Sequence, residues 1–86
     1  MSTLREITYS TMEASELTGA SQKQIRYWEN RGFIKSDRNV CGRIAYRRFT
    51  KRQVEIIRAI KRHLAQGYTL VRAAELARKD EDQIAG

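Results

Sequence analysis

Residues Ser21 to Gly32 read S-Q-K-Q-I-R-Y-W-E-N-R-G. A glutamine amide can pair with an adenine edge, and a lysine or arginine with the acceptors of guanine. Arginine and tyrosine also bond phosphate oxygens. Such side chains read a duplex only when one helix face presents them to the major groove. A cap at Ser21, with Gln24 three residues on, is a helix start signal, and Gly32 is a stop signal. The groove-facing positions are then Gln22, Lys23, Arg26 and Tyr27, with Asn30 further along. Leu17-Thr18-Gly19-Ala20 forms a turn just before, and a shorter helical pattern precedes it. Two short helices joined by a glycine-containing turn, the second cationic, predict a helix-turn-helix and a double-stranded DNA partner.

Charge points the same way. The 86 residues carry a formal net charge of +7. Between Lys23 and Arg62 stand 13 basic residues and three acidic ones, Glu29, Asp37 and Glu55. That segment holds +10 and the flanks −3. A basic stripe confined to one segment is the electrostatic footprint of a polyanion partner.

The elements that must position these residues are legible from caps and periodicity. Ser10-Thr11-Met12-Glu13, Ser21-Gln22-Lys23-Gln24 and Thr50-Lys51-Arg52-Gln53 each fit a capping box and place three helix starts. The first helix is expected from Thr11 to Thr18, burying Met12 or Ala14 and Leu17. The second runs from Gln22 to about Arg31 with Ile25 and Trp28 inward. Trp28 is read as core rather than as a base-stacking platform, because it lies three residues from Ile25 on the same face. Phe33-Ile34-Lys35 and Ile44 to Phe49 have strand character, and Asp37 to Gly42 carries turn residues, which predicts a β-hairpin with a basic tip. Val54, Ile57, Ile60 and Leu64 recur at helical spacing in a third helix from Lys51 to about Gln66. A fourth starts at Thr69 and buries Leu70, Ala73, Ala74 and Ala77. Leu4, Ile7 and Tyr9 alternate with polar residues as a short strand or arm. Tyr68 is expected to pack between helices, and His63 to be a surface residue without a ligand-type partner. The expected division is an arm or strand over 1–8, a DNA-binding domain over 9–78, and a polar, fraying tail over 79–86.

This order of elements, mainly α with a small β-hairpin wing and four helices, is that of a winged helix-turn-helix. The chain resembles the DNA-binding domain of the MerR family of bacterial transcription regulators. Leu17 to Ser21, Ile25-Arg26-Tyr27-Trp28-Glu29 and Gly32-Phe33-Ile34 carry the resemblance. Tyr46-Arg47-Arg48-Phe49-Thr50, Ile60 to Leu64 and Gly67-Tyr68-Thr69-Leu70 extend it over about Tyr9 to Ala77. The resemblance implies that Arg26 and Tyr27 contact phosphates. The helix start itself, rather than the resemblance, puts Ser21, Gln22 and Lys23 at the groove. Wing residues Arg38, Arg43, Arg47 and Arg48 are expected on the flanking backbone or minor groove. Lys51 and Arg52 stand in a first helical turn, where cations oppose the helix dipole; a nearby phosphate would offset that cost.

Two features depart from the family pattern. Ala45 stands where a glycine often precedes the Tyr-Arg pair, and Trp28 replaces a frequent tyrosine. Family members usually continue into a long coiled-coil helix and an effector domain; this chain is expected to be a minimal member that ends about where that helix would begin. The readings left open are a transcription regulator, an architectural DNA-bending protein or excisionase, and the DNA-binding part of a longer sensor. The partners expected are double-stranded DNA and a second copy of the chain, as a homodimer or a DNA-dependent oligomer. RNA polymerase or a site-specific recombinase is a further partner to expect. No phosphate-binding glycine loop, nucleophile elbow or zinc protease motif is present in the sequence. No enzyme activity, cofactor, metal or membrane partner is expected, and the location expected is cytoplasmic, with the nucleoid. Cys41, the single cysteine, excludes an internal disulfide and is weighed only as a thiol sensor in the wing.

Overall fold

The computed structural model describes residues 7–41 and 44–85, with side chains over 7–37 and 47–81. The elements follow in the order β1 (Thr8–Tyr9), α1 (Thr11–Thr18), α2 (Gln22–Asn30), β2 (Asp37–Cys41), β3 (Ile44–Thr50), α3 (Lys51–Ala65) and α4 (Leu70–Ala85). This is a winged helix-turn-helix. The hairpin β2–β3 is antiparallel, and β1 adds to its other edge, giving the order β1-β3-β2. Thr8 pairs with Thr50 and Tyr9 with Phe49.

Two capping boxes close at α1 and α2. Ser10 Oγ accepts from the Glu13 N–H at 3.1 Å while Glu13 Oε1 accepts from the Ser10 N–H at 2.8 Å. Ser21 and Gln24 make the same exchange at 3.0 Å each way. Each box satisfies donors that the first helical turn leaves without a partner. The third box is only half formed. Thr50 Oγ1 accepts from the Gln53 N–H at 3.2 Å, but Gln53 Oε1 accepts from the Lys35 N–H at 2.9 Å instead of from the cap. Tertiary contact with the loop after α2 has taken that side chain.

The turn between α1 and α2 packs an alanine into the core with its polar groups paired. Gly19 adopts a left-handed φ of 83°, a conformation that a Cβ penalises, and its N–H donates to Ser15 O at 2.9 Å. Thr18 Oγ1 donates to Ala14 O at 2.7 Å and accepts from the Ala20 N–H at 3.2 Å. Ser15 Oγ donates to Ala20 O at 2.6 Å. Ala14 and Ala20 are fully buried. Their small size lets α1 and α2 approach closely. Of Met12 or Ala14, the core residue is Ala14, with Met12 56% exposed; the expected burial of Leu17 is corrected, since it is 47% exposed.

The core joins Ile25 and Trp28 of α2, Ile34, Phe49 of β3, the α3 residues Val54, Ile56, Ile57, Ala59 and Ile60, and Ala73, Ala74 and Ala77 of α4. Leu64 and Leu70 pack partly buried against it. Ile56 and Ala59 widen the α3 stripe beyond the expected residues, because α3 packs on α1 and β3 as well as on α4.

Three more expectations change. The first wing strand is Asp37–Cys41, not Phe33 to Lys35. Its register pairs Asp37 with Arg48, Arg38 with Arg47 and Cys41 with Ile44. Backbone pairing to β3 outweighs the weak strand propensity of Asp and Asn, while Ile34 anchors the preceding loop in the core. Helix α4 continues to Ala85, so most of the expected tail is helical. His63 is not isolated: its Nε2 lies 2.9 Å from Asp80 Oδ2, and Arg62 donates to the same oxygen at 3.2 Å. Tyr68 meets the His63 ring edge-on at 5.7 Å and stays nearly half exposed. Leu4 lies outside the described residues.

The α1 box yields a pH prediction. The Ser10 backbone N–H bonds the Glu13 carboxylate and holds its pKa below the ordinary value of 4.5, with a further contribution from the Ser10 hydroxyl and from Arg48. A depressed carboxylate contributes stability that is present above its unfolded pKa and is lost as pH falls through the folded one. The variant Glu13→Gln keeps a capping partner but not the charge. Its melting temperature is expected to lie below wild type near neutral pH, with the gap closing as pH falls below the ordinary carboxylate value of 4.5 and through the lower folded one. A gap that stayed constant over that range would contradict the charge-assisted cap.

Candidate nucleic-acid interface

On a helix of about 100° per residue, Gln22, Arg26, Asn30, Lys23 and Tyr27 fall within an arc of roughly 140°. Ile25 and Trp28 take the opposite side and are buried. All five polar and aromatic positions are exposed. The core therefore orients α2, and its outer arc follows from the way Trp28 and Ile25 are held. Ser21 caps this helix with its hydroxyl, so its first duty is to the helix start.

Beside the first turn of α2 lies an open cleft of about 320 Å³, lined by Ser10, Thr11, Met12, Gln22, Arg26, Arg47 and Arg48. Three arginines thus line one concave surface. Arg47 and Arg48 are held by different partners. Arg47 Nε donates to Glu29 Oε1 at 2.6 Å. Arg48 Nε donates to Thr8 Oγ1 at 3.1 Å and its NH2 to Thr8 O at 2.9 Å. β1 therefore orients Arg48, and α2 orients Arg47. A guanidinium offers five N–H donors, so an arginine can hold a protein group and present donors outward.

The structure gathers Gln22, Lys23, Arg26, Tyr27 and Asn30 on one face and brings Arg26, Arg47 and Arg48 to one cleft. Lys51 is exposed at the first position of α3. Arg52 belongs elsewhere: with Phe33, Ile34, Lys35, Gln53, Ile56 and Arg78 it lines a separate pocket of about 300 Å³. Arg38 is placed only by its backbone, opposite Arg47. Its side chain, that of Cys41, and all of Arg43 lie outside the described residues.

Two residues were missed in the sequence. The Arg31 guanidinium sits 5.8 Å from the Tyr27 ring centre and 5.9 Å from that of Phe33, and its NH1 donates to Tyr27 Oη at 3.3 Å. The four-residue Tyr-Arg spacing is the signal that finds it. Arg58 donates through NH2 to Leu17 O at 3.1 Å, tying α3 to the end of α1. No sequence pattern marks that long-range bond. Among the described residues, no cluster of three or more metal-ligating side chains occurs, and no helix is long and apolar enough to cross a membrane.

Comparison with known proteins adds to this geometry. The family model described as MerR HTH family regulatory protein matches residues 9–80. The HTH-type transcriptional repressor CarH of Myxococcus xanthus is 35% identical over 74 residues, covering 85% of this chain and 24% of that protein. The crystal structure of HiNmlR, a MerR family regulator lacking the sensor domain and bound to promoter DNA, superposes with a TM-score of 0.67 at 23% identity. It covers 84% of this chain and 56% of that one, and at this identity it speaks to the fold. The chain spans less than two thirds of either relative. With the family pattern matched over 9–80 and the winged helix-turn-helix in place, the chain belongs to the MerR family of HTH regulatory proteins.

Proposed function

We propose that this chain binds double-stranded DNA with sequence preference, as the DNA-reading part of a transcription regulator. The carrying observation is the exposed arc of Gln22, Lys23, Arg26, Tyr27 and Asn30 beside the three-arginine cleft. In this reading α2 enters the major groove, which admits one helix. Gln22 and Lys23, in its first turn, meet base edges. Arg26, Tyr27, Arg47 and Arg48 meet phosphates, which set register without specifying sequence. The hairpin, with Arg38 and Arg43, follows the flanking backbone or minor groove, and Lys51 and Asn30 extend the contact. The similarity to a repressor and to a regulator bound to promoter DNA supports this reading.

Replacing Gln22 or Lys23 separates base reading from backbone contact. The probes are the duplex that the wild-type chain enriches from a random-sequence pool and a scrambled duplex of equal length. Gln22→Ala and Lys23→Ala are each expected to cost about 1–3 kcal/mol on the enriched duplex and little on the scrambled one. Equal losses on both would make these residues backbone contacts and move the reading positions along the helix. A wild-type chain that enriches no duplex would overturn the proposal.

A further inference from the structure

Glu29 stands among cations on the helix proposed to enter the groove, where a carboxylate would oppose the approach of phosphates. Its side chain is only 13% exposed. Both oxygens are engaged: Oε1 accepts from Arg47 Nε at 2.6 Å, and Oε2 accepts from Ser36 Oγ. Ser36 lies in the loop that leads into β2, and Arg47 lies in β3. One carboxylate thus reaches both sides of the hairpin's base from a single position on α2. The hairpin packs through β3 on β1, α1 and α3. The Glu29 contacts add a polar tie from the wing to α2 itself.

We infer that Glu29 is a positioning residue that sets the wing, and the Arg47 guanidinium in particular, relative to α2. The inference rests on the DNA-binding reading proposed above. Two elements that touch one duplex must keep a fixed spacing, because a shift of either moves its contacts off register on the phosphates. A largely buried carboxylate with two hydrogen-bond donors is directional, as an apolar contact is not. Arg47 alone could swing over several rotamers; anchored at Nε, the planar guanidinium is held in one orientation.

The charge makes the test sharp. Glu29→Gln removes a negative charge from a DNA-facing surface, so electrostatics alone would tighten binding to any duplex. Positioning predicts the opposite on the preferred site. The same enriched and scrambled duplexes serve as probes, and circular dichroism melting confirms that each variant is folded at the assay temperature. Glu29→Gln is expected to lower affinity for the enriched duplex about tenfold, with the scrambled duplex unchanged or bound more tightly. Ser36→Ala, a milder change, is expected to shift the ratio in the same direction and keeps the test available should Glu29→Gln melt too low. In an Arg47→Ala background, Glu29→Gln is expected to cause no further loss, since the residue acts through Arg47. Tighter binding to both duplexes, parallel loss on both, or full additivity with Arg47→Ala would overturn the positioning role while leaving DNA binding intact. A wild-type chain without preference for any duplex would instead overturn the DNA reading, and this inference with it.

Discussion

Truncating Trp28 to alanine is expected to destabilise the fold by about 3–5 kcal/mol, the range for deleting a large buried aromatic side chain. Trp28 is 2% exposed and belongs to the cluster that joins α2 to Ile34, Phe49 and the α3 stripe. A domain of this size has roughly 5–10 kcal/mol in total, so the variant should be partly unfolded near body temperature. Tyr27, its neighbour, is 49% exposed and lies on the outer arc. Tyr27→Ala is expected to change stability by less than about 1 kcal/mol, the range for an exposed substitution, while weakening DNA binding. Urea titration followed by circular dichroism reads both, as a shift in midpoint at constant slope. A Trp28→Ala chain as stable as wild type, with impaired binding, would return Trp28 to the role of a base-stacking surface.

The second large effect is on the salt dependence of DNA binding. Affinity is expected to fall with a log–log slope near −0.9 per phosphate neutralised. A protein that contacts about six phosphates loses roughly a thousandfold between about 50 and 200 mM salt. Arg26→Ala should weaken binding to preferred and scrambled duplexes alike and reduce the slope by about one. Arg47→Ala should weaken binding more than Arg26→Ala, because it removes a cation and leaves the Glu29 carboxylate without its guanidinium. Fluorescence anisotropy across a salt series measures each slope. A flat salt dependence, or wild-type affinity in both variants, would remove the phosphate role from the arginine cleft.

Much of the fold and the outer face of α2 could be read before the structure. Ser10, Ser21 and Thr50 marked helix starts correctly because a hydroxyl cap is a local interaction within four residues. The α2 face was legible because Ile25 and Trp28 sit three apart, and helical geometry then assigns every other residue a side. The first wing strand was not legible. Phe33 and Ile34 look more like a strand than Asp37 and Asn39 do, yet the pairing partner is β3, which lies beyond the turn. The surroundings of His63 were missed for the same kind of reason. Its partner Asp80 is 17 residues away, and no local pattern links the two.

The sequence by itself determined the helix starts, the cationic middle segment and the family, since each depends on neighbours in the chain or on composition. Tertiary structure decided which charged residues work together. Arg47 and Arg48 are adjacent in sequence and equivalent in type, yet one is held by Glu29 of α2 and the other by Thr8 of β1. Arg52, only a few residues on, lines a different pocket. Charge has no periodicity that points it to a partner. A guanidinium on a long side chain finds the acceptor that folding brings within about 3 Å, and that acceptor is set by the packing of distant segments.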